Sequence, residues 1–292
     1  MFNENILVKR PIAPYAYDKR ATQRTKTRKA CMNDRILHAA VAIIIIVCGA
    51  FLSCANSSAA DTDLYGGVRQ RDYLIGRYNP SSEKLFISLG TVGIPTRGRT
   101  QYLRIEAALA LKQLYKHLKT DHPEISFWVQ SATRTFDDQR AIWGNKWNGV
   151  TRVDGVKLNE TIADPVARGL RILERSSMPG TSRHHWGTDV DLNELFNGYF
   201  DRGNGATLYR WMTTHAHRYG FCQPYTAGRT AGYQEERWHW SYAPLSRAFL
   251  ADWMKHFGKN TDVFTAKGLF AGSEHIGGRA PLYVSSINRA CE

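Results

Sequence analysis

The chain has 292 residues, enough for one or two domains with a substantial core. Hydrophobic residues make up 43% and charged ones 22%, which excludes a chain that stays disordered along its length. The formal charge of +13 is inflated by residues 1–60, where nine Lys and Arg face three acids; the remainder carries +7. That is too little to argue for a nucleic-acid partner, and none is expected. A mild positive field suits an anionic polymer, and equally an ordinary solvated surface.

In chain order, the first predicted element is the apolar run ILHAAVAIIIIVCGAFL at 36–52, which follows a basic segment. Its length lies between a signal-peptide core and a minimal membrane span. Ser58 and Ala60 before Asp61 suit signal peptidase, and FLSC resembles a lipoprotein box ending at Cys54. Met32 opens a compact signal, which would make residues 1–31 an over-extended start. Every version predicts export to the periplasm or cell envelope, either soluble or held by a lipid or helix anchor. Residues 1–60 then form a basic tail plus signal or anchor, and residues 61–292 the exported body. Membrane contact is confined to the N-terminal segment, and a monomer is expected.

Residues 61–100 are rich in Gly, Pro and Ser, with one strand-like run, KLFISL at 84–89. Helical spacing of Ile105, Ala108, Leu109, Leu111 and Leu114 predicts a helix over 104–120. ISFWVQSAT at 125–133 is β-branched and aromatic and reads as a strand. FDDQRAIWGNKW at 136–147 reads as a short helix and DPVARGLRILERSS at 164–177 as a longer one. GTDVDLN then reads as a strand, ATLYRWMTTHAHRYGF as a helix, ERWHWSY as a strand, and PLSRAFLADWMKHFG as a closing helix. Helices and strands do not alternate regularly, so an α+β domain is expected rather than a doubly wound sheet. Five cysteines, at 31, 48, 54, 222 and 291, show no zinc-knuckle spacing. Cys222 and Cys291 lie in the exported body, where they either pair or remain thiols.

SRHHWGTDVD at 182–191 packs two histidines and two aspartates into ten positions. It reads as a metal site or as a polar loop whose histidines bond locally. Catalytic zinc needs three protein ligands, commonly two imidazoles and a carboxylate, and a base that is not itself a ligand. His184 and Asp191 lie seven apart, with Gly187 letting the chain turn between them. The best source of a third ligand is EERWHW at 235–240. Glu236 precedes His239 by three, a separation that in a pure strand would put them on opposite faces. Glu236 is therefore expected in the approach to the strand, with His239 inside it. Trp238 and Trp240 are candidates to wall off a drier site.

SRHHWGTDVD resembles the S-x-H-x₂-G-x₃-D signature of the VanY and VanX type of D-alanyl-D-alanine carboxypeptidases and dipeptidases. EERWHW resembles that family's E-x-W-H signature, and SATRTFDDQ at 131–139 its strand-end arginine and following helix. RYNP and GFCQPYT are similar to segments of a VanY-like subgroup, and the resemblance spans about 70–258. It implies a single hedgehog/D-Ala-D-Ala-peptidase-like domain, with a small, mainly antiparallel sheet flanked by helices. It further implies one zinc ion per chain on His184, Asp191 and His239, with Glu236 as catalytic base. Arg134 would steady substrate and developing charge, Gln139 would bind substrate, and Ser182 would contact substrate or brace the loop. Asp189, where the family has alanine, is expected to orient an imidazole; exchange with Asp191 as ligand is the alternative. His185 and Trp186 read as pocket wall or packing, and His215 and His217 as surface or core residues. The implied activity is removal of the terminal D-alanine from peptidoglycan stem peptides. A cell-wall endopeptidase, a D-Ala-D-Ala dipeptidase and a non-catalytic zinc-bearing binding module are the alternatives.

Overall fold

The computed structural model describes residues 64–292. The apolar run 36–52, the box at Cys54 and the cleavage site before Asp61 lie outside the described residues. No helix among those described is long and apolar enough to cross a membrane.

Three short segments lead into the core: helix α1 (Gln70–Leu74), strand β1 (Phe86–Ser88) and strand β2 (Tyr102–Arg104), the two strands pairing antiparallel. Helix α2 (Ile105–Asp121) buries Ala107, Ala108, Leu111, Leu114 and Leu118 along one stripe, as the apolar spacing requires. Strand β3 (Val129–Ser131) is shorter than the apolar run around it, because residues 125–128 approach the sheet as irregular backbone. Helix α3 (Phe136–Trp147) starts at a capping box, with the Thr135 hydroxyl on the Asp138 N–H and the Asp138 carboxylate on the Thr135 N–H. After α4 (Leu158–Thr161), helix α5 (Pro165–Leu173) is capped by Asp164 and stops before the expected 177.

Strand β4 (Asp189–Leu192) follows a 3₁₀ turn over Arg183–Trp186. Helix α6 (Gly203–His215) tightens into a 3₁₀ turn at Ala216–Tyr219 instead of continuing. Gly220, at φ +79°, then turns the chain into the short strand β5 (Phe221–Cys222). Strand β6 (His239–Tyr242) leads directly into α7 (Ala243–Phe257). Three further short helices, α8 (Asp262–Thr265), α9 (Ser273–Ile276) and α10 (Ala280–Ser285), close the chain.

The main sheet runs β3-β4-β6-β5, with every ladder antiparallel. The architecture is α+β, as expected, with small sheets flanked by helices. Val190, Leu192 and Trp240 point into an apolar cluster with Leu111, Leu114, Leu118, Trp211 and Met212. A second cluster, around Trp143, Trp186, Phe249, Trp253 and Phe264, packs on the other side. Asp189 and Asp191 alternate with Val190 and Leu192 and so share the face turned away from the first cluster. Cys222 and Cys291 form a disulfide, with Cα atoms 5.6 Å apart, which ties the C-terminus to β5.

Candidate metal centre and catalytic cleft

Register brings the signature residues together. In the β4–β6 ladder Asp191 pairs with His239 and Asp189 with Ser241. Slipping the ladder by one residue would turn both aspartates into the apolar cluster, so burial of Val190 and Leu192 enforces the pairing. His184 arrives from the 3₁₀ turn, which Gly187 ends at φ +72°. A Cβ on Gly187 would lie 2.3 Å from the Phe86 ring, so glycine is required by space as well as by conformation.

His184, Asp191 and His239 each offer one ligand atom, and these atoms lie within 4.8 Å of one another. His184 Nδ1 lies 2.7 Å from the Ala132 carbonyl oxygen. A carbonyl only accepts, so Nδ1 carries the proton and Nε2 presents a lone pair. That Nε2 lies 3.3 Å from Asp191 Oδ1, and both atoms are buried without a hydrogen-bond partner. His239 Nε2 donates to Asp189 Oδ1 at 2.9 Å, which leaves Nδ1 facing Asp191 Oδ1 and Glu236 Oε2, each at 3.3 Å. Two imidazole nitrogens and a carboxylate oxygen thus converge with no donor among the neutral forms. The donor set fits a zinc ion and leaves room for a fourth ligand.

The electrostatics agree. Burial alone would lower the His239 pKa, but Asp189, Asp191 and Glu236 hold it well above the usual histidine value. Three carboxylates thus lie close around one imidazole, an arrangement compatible with a divalent cation. Burial would raise Asp191, yet the two histidines hold it well below the carboxylate range. Glu236 is shifted the other way: its own burial raises it, against the pull of His239.

Glu236 lies in the approach to β6, as its three-residue offset from His239 predicts. The GFCQPYT segment holds it there. The Glu236 N–H donates to Tyr225 O at 2.9 Å and the Gln223 amide to Glu236 O at 3.0 Å, while the Tyr225 ring packs on His239. Arg134, between β3 and α3, is clamped to the histidine turn through its backbone. Its N–H donates to His184 O, and its carbonyl accepts from His185 Nδ1. Its guanidinium lies 3.9 Å from Asp191 Oδ2, with a buried Nε that has no partner. Gln139 donates to Ser177 O at 2.7 Å, leaving its buried Oε1 unpartnered. Arg134, Gln139, His184, Asp191, Glu236 and His239 all line one cleft of about 420 Å³.

Ser182 does not line this cleft; its hydroxyl is buried with no hydrogen-bond partner among the described residues, and its carbonyl accepts from the His185 N–H within the histidine turn. One expectation needs correction. Trp240 points into the apolar cluster, because its strand neighbour His239 faces the cleft; Trp238, just before the strand, packs in the same cluster and still borders the cleft. Of the two readings of His185, packing holds: it does not line the cleft, and its Nε2 accepts from the Gly180 N–H. His215 stacks with Trp211 and His117, away from the cleft.

Sequence reasoning placed Asp189 behind an imidazole but missed its other partners in the layer beneath the cleft. Asp189 accepts from His239, from Arg183 Nε at 3.1 Å, and from the hydroxyls of Thr188 and Ser241 at 2.6 and 2.9 Å. Arg183 is fully buried, bonded to Ser241 at 2.7 Å and lying over the Trp186 ring at 4.7 Å. The departure from alanine at 189 was the one signal that could have found this network.

Residues 100–245 match the family model described as VanY, D-alanyl-D-alanine carboxypeptidase. The chain belongs to this family. Among curated relatives, YodJ of Bacillus subtilis (strain 168), named as a carboxypeptidase, is 27% identical over 60% of this chain and 58% of its own length. A D-alanyl-D-alanine carboxypeptidase of Enterococcus faecalis (strain ATCC 700802 / V583) is 30% identical over 31% of this chain and 36% of its own. The chain thus spans less than two thirds of either relative. Among solved structures, the LdcB LD-carboxypeptidase is 20% identical, with 61% of this chain and 76% of that one covered and a TM-score of 0.43. VanYB in complex with D-alanine-D-alanine is 22% identical, with 56% and 83% covered and a TM-score of 0.40.

Proposed function

We propose that this protein is a zinc-dependent D,D-carboxypeptidase that removes the terminal D-alanine of peptidoglycan stem peptides outside the cytoplasm. The observation that carries the reading is the convergence of three lone-pair donors in one cleft with a buried Glu236 and an Arg134 guanidinium beside them. His184, Asp191 and His239 would hold the ion, which when bound supplies Lewis acidity towards a water and a carbonyl oxygen.

The chain's own residues account for the rest. Glu236, its pKa raised by burial, takes the proton of the attacking water at Oε2 and passes it to the departing amine. Arg134 provides fixed positive charge where the carbonyl oxygen becomes negative. The free Oε1 of Gln139 accepts a substrate N–H. Asp189 holds the His239 imidazole in one tautomer and orientation. A binding module has no use for an acceptor and a guanidinium aimed at the same point, so catalysis is favoured over mere zinc binding. Family membership and the apolar N-terminal run together support a site of action in the cell envelope.

The test is mass spectrometry of defined muropeptides incubated with the full chain, with chelator and with zinc restored. Loss of one D-alanine from pentapeptides, abolished by chelator and recovered with zinc, is expected. Cleavage that persists in metal-free protein overturns the reading.

A further inference from the structure

Gln139, Ile142 and Lys146 recur at three and seven positions along α3 and line the cleft together. Lys146 is half-buried, and its Nζ donates to the Ser176 hydroxyl. No carboxylate among the described residues lies within ion-pair reach of it. The other bases on this wall are engaged: Arg171 with Asp154 and Glu174, Arg175 with Asp154, and the exposed Arg152 with Gly155 O. An ammonium has three donors, so Lys146 has two to offer. Burial and the charge of Arg134 push its pKa below the usual lysine value, while Glu236 pulls it up. It is therefore a cation without a counter-ion, within electrostatic reach of both Arg134 and Glu236.

We propose that Lys146, braced by Ser176, binds the C-terminal carboxylate of the leaving residue and so makes the enzyme an exopeptidase. This rests on the peptidase reading above. The terminal carboxylate lies about one residue, roughly 3.5 Å of chain, beyond the scissile carbonyl. A cation that reads it must therefore line the same cleft as the groups acting on that carbonyl, as Lys146 does with Arg134 and Glu236. A chain that continued past the leaving residue would present a neutral amide instead, leaving Lys146 buried and unpaired, which disfavours internal cleavage.

The experiment compares one peptide ending in D-Ala-D-Ala as the free acid and as the C-terminal carboxamide. Wild type should prefer the acid in kcat/KM by about 10–100-fold, the size of a charge-assisted pair. K146M should collapse that preference towards unity, mainly through KM for the acid, while K146R keeps most of it. S176A should weaken it partially. Zinc content and melting temperature, measured in parallel, should stay at wild-type values in K146R and S176A. Equal cleavage of acid and amide by wild type, or an unchanged preference in both K146M and S176A, overturns the assignment while leaving the peptidase reading intact. Wild type cleaving neither peptide overturns the peptidase reading and this inference with it.

Discussion

His184 and His185 are neighbours in sequence and equally buried, and Asp189 and Asp191 share one face of one strand, yet each pair divides between two layers. In the cleft layer, His184 Nε2 and Asp191 Oδ1 have no hydrogen-bond partner. In the layer beneath, His185 uses both ring nitrogens and Asp189 takes four donors. A buried polar atom without a partner costs about 1–3 kcal/mol. A protein that keeps several converging on one point is prepared for a ligand, whereas side chains such as His185 and Asp189, with their acceptors and donors engaged, are support. The same contrast favours Asp191 over Asp189 as the candidate ligand, because Asp189 already takes four donors.

The contrast can be broken most directly at the ligands. His184→Ala, Asp191→Ala or His239→Ala should each empty the metal site and abolish hydrolysis while the protein stays folded, as read by metal analysis and circular dichroism. Retention of one zinc per chain in any of them would remove that residue from the ligand set.

Next in size is Glu236→Gln, which keeps shape but cannot accept a proton. Hydrolysis should fall by about 10²–10⁴-fold with metal content unchanged. Glu235→Gln should be nearly silent, since its side chain pairs with Arg237. Turnover within a few-fold of wild type in Glu236→Gln would mean that the base is another group.

A smaller loss, about 10–100-fold, is expected for Asp189→Asn, with zinc retained. If Asp189→Asn loses the metal and Asp191→Asn keeps it, the two layers have been assigned the wrong way round.

Two predictions concern stability away from the cleft. The Cys222–Cys291 disulfide closes a loop with a sequence separation of 69, so Cys291→Ser should cost about 2–4 kcal/mol in denaturant unfolding. Activity at 25 °C should stay near wild type, because neither cysteine lines the cleft.

The smallest effect is at the α3 cap, where Thr135→Ala should cost about 1 kcal/mol. Burial alone would raise Asp138, but Arg99 and Thr135 hold it below its ordinary value of 3.8. Its contribution is therefore complete above about pH 4 and fades as the pH falls through the lower folded value. Asp138→Asn should flatten that part of the stability profile; an unchanged acid limb would show that the carboxylate adds nothing.

Much of the site was legible in the sequence because its spacing is local. His184 and Asp191 belong to one turn and strand separated by a glycine, and Glu236 to His239 is a strand entry. The helices at 105–121, 136–147 and 243–257 were likewise read from local sequence, the first from its apolar period. What no local pattern encodes is partnership across the chain. The short strands β2 and β5 exist only because β1 and β6 pair with them, which is why so few residues gave no signal. Trp240 was misplaced because motif membership does not say which way a side chain faces. Nothing local marks Arg183 as buried; Asp189, Ser241 and Trp186 come around it only in the fold. Local sequence thus determined which residues could bind a metal and move a proton. Tertiary structure, through strand register and the burial that enforces it, decided which of them keep a free lone pair to do so.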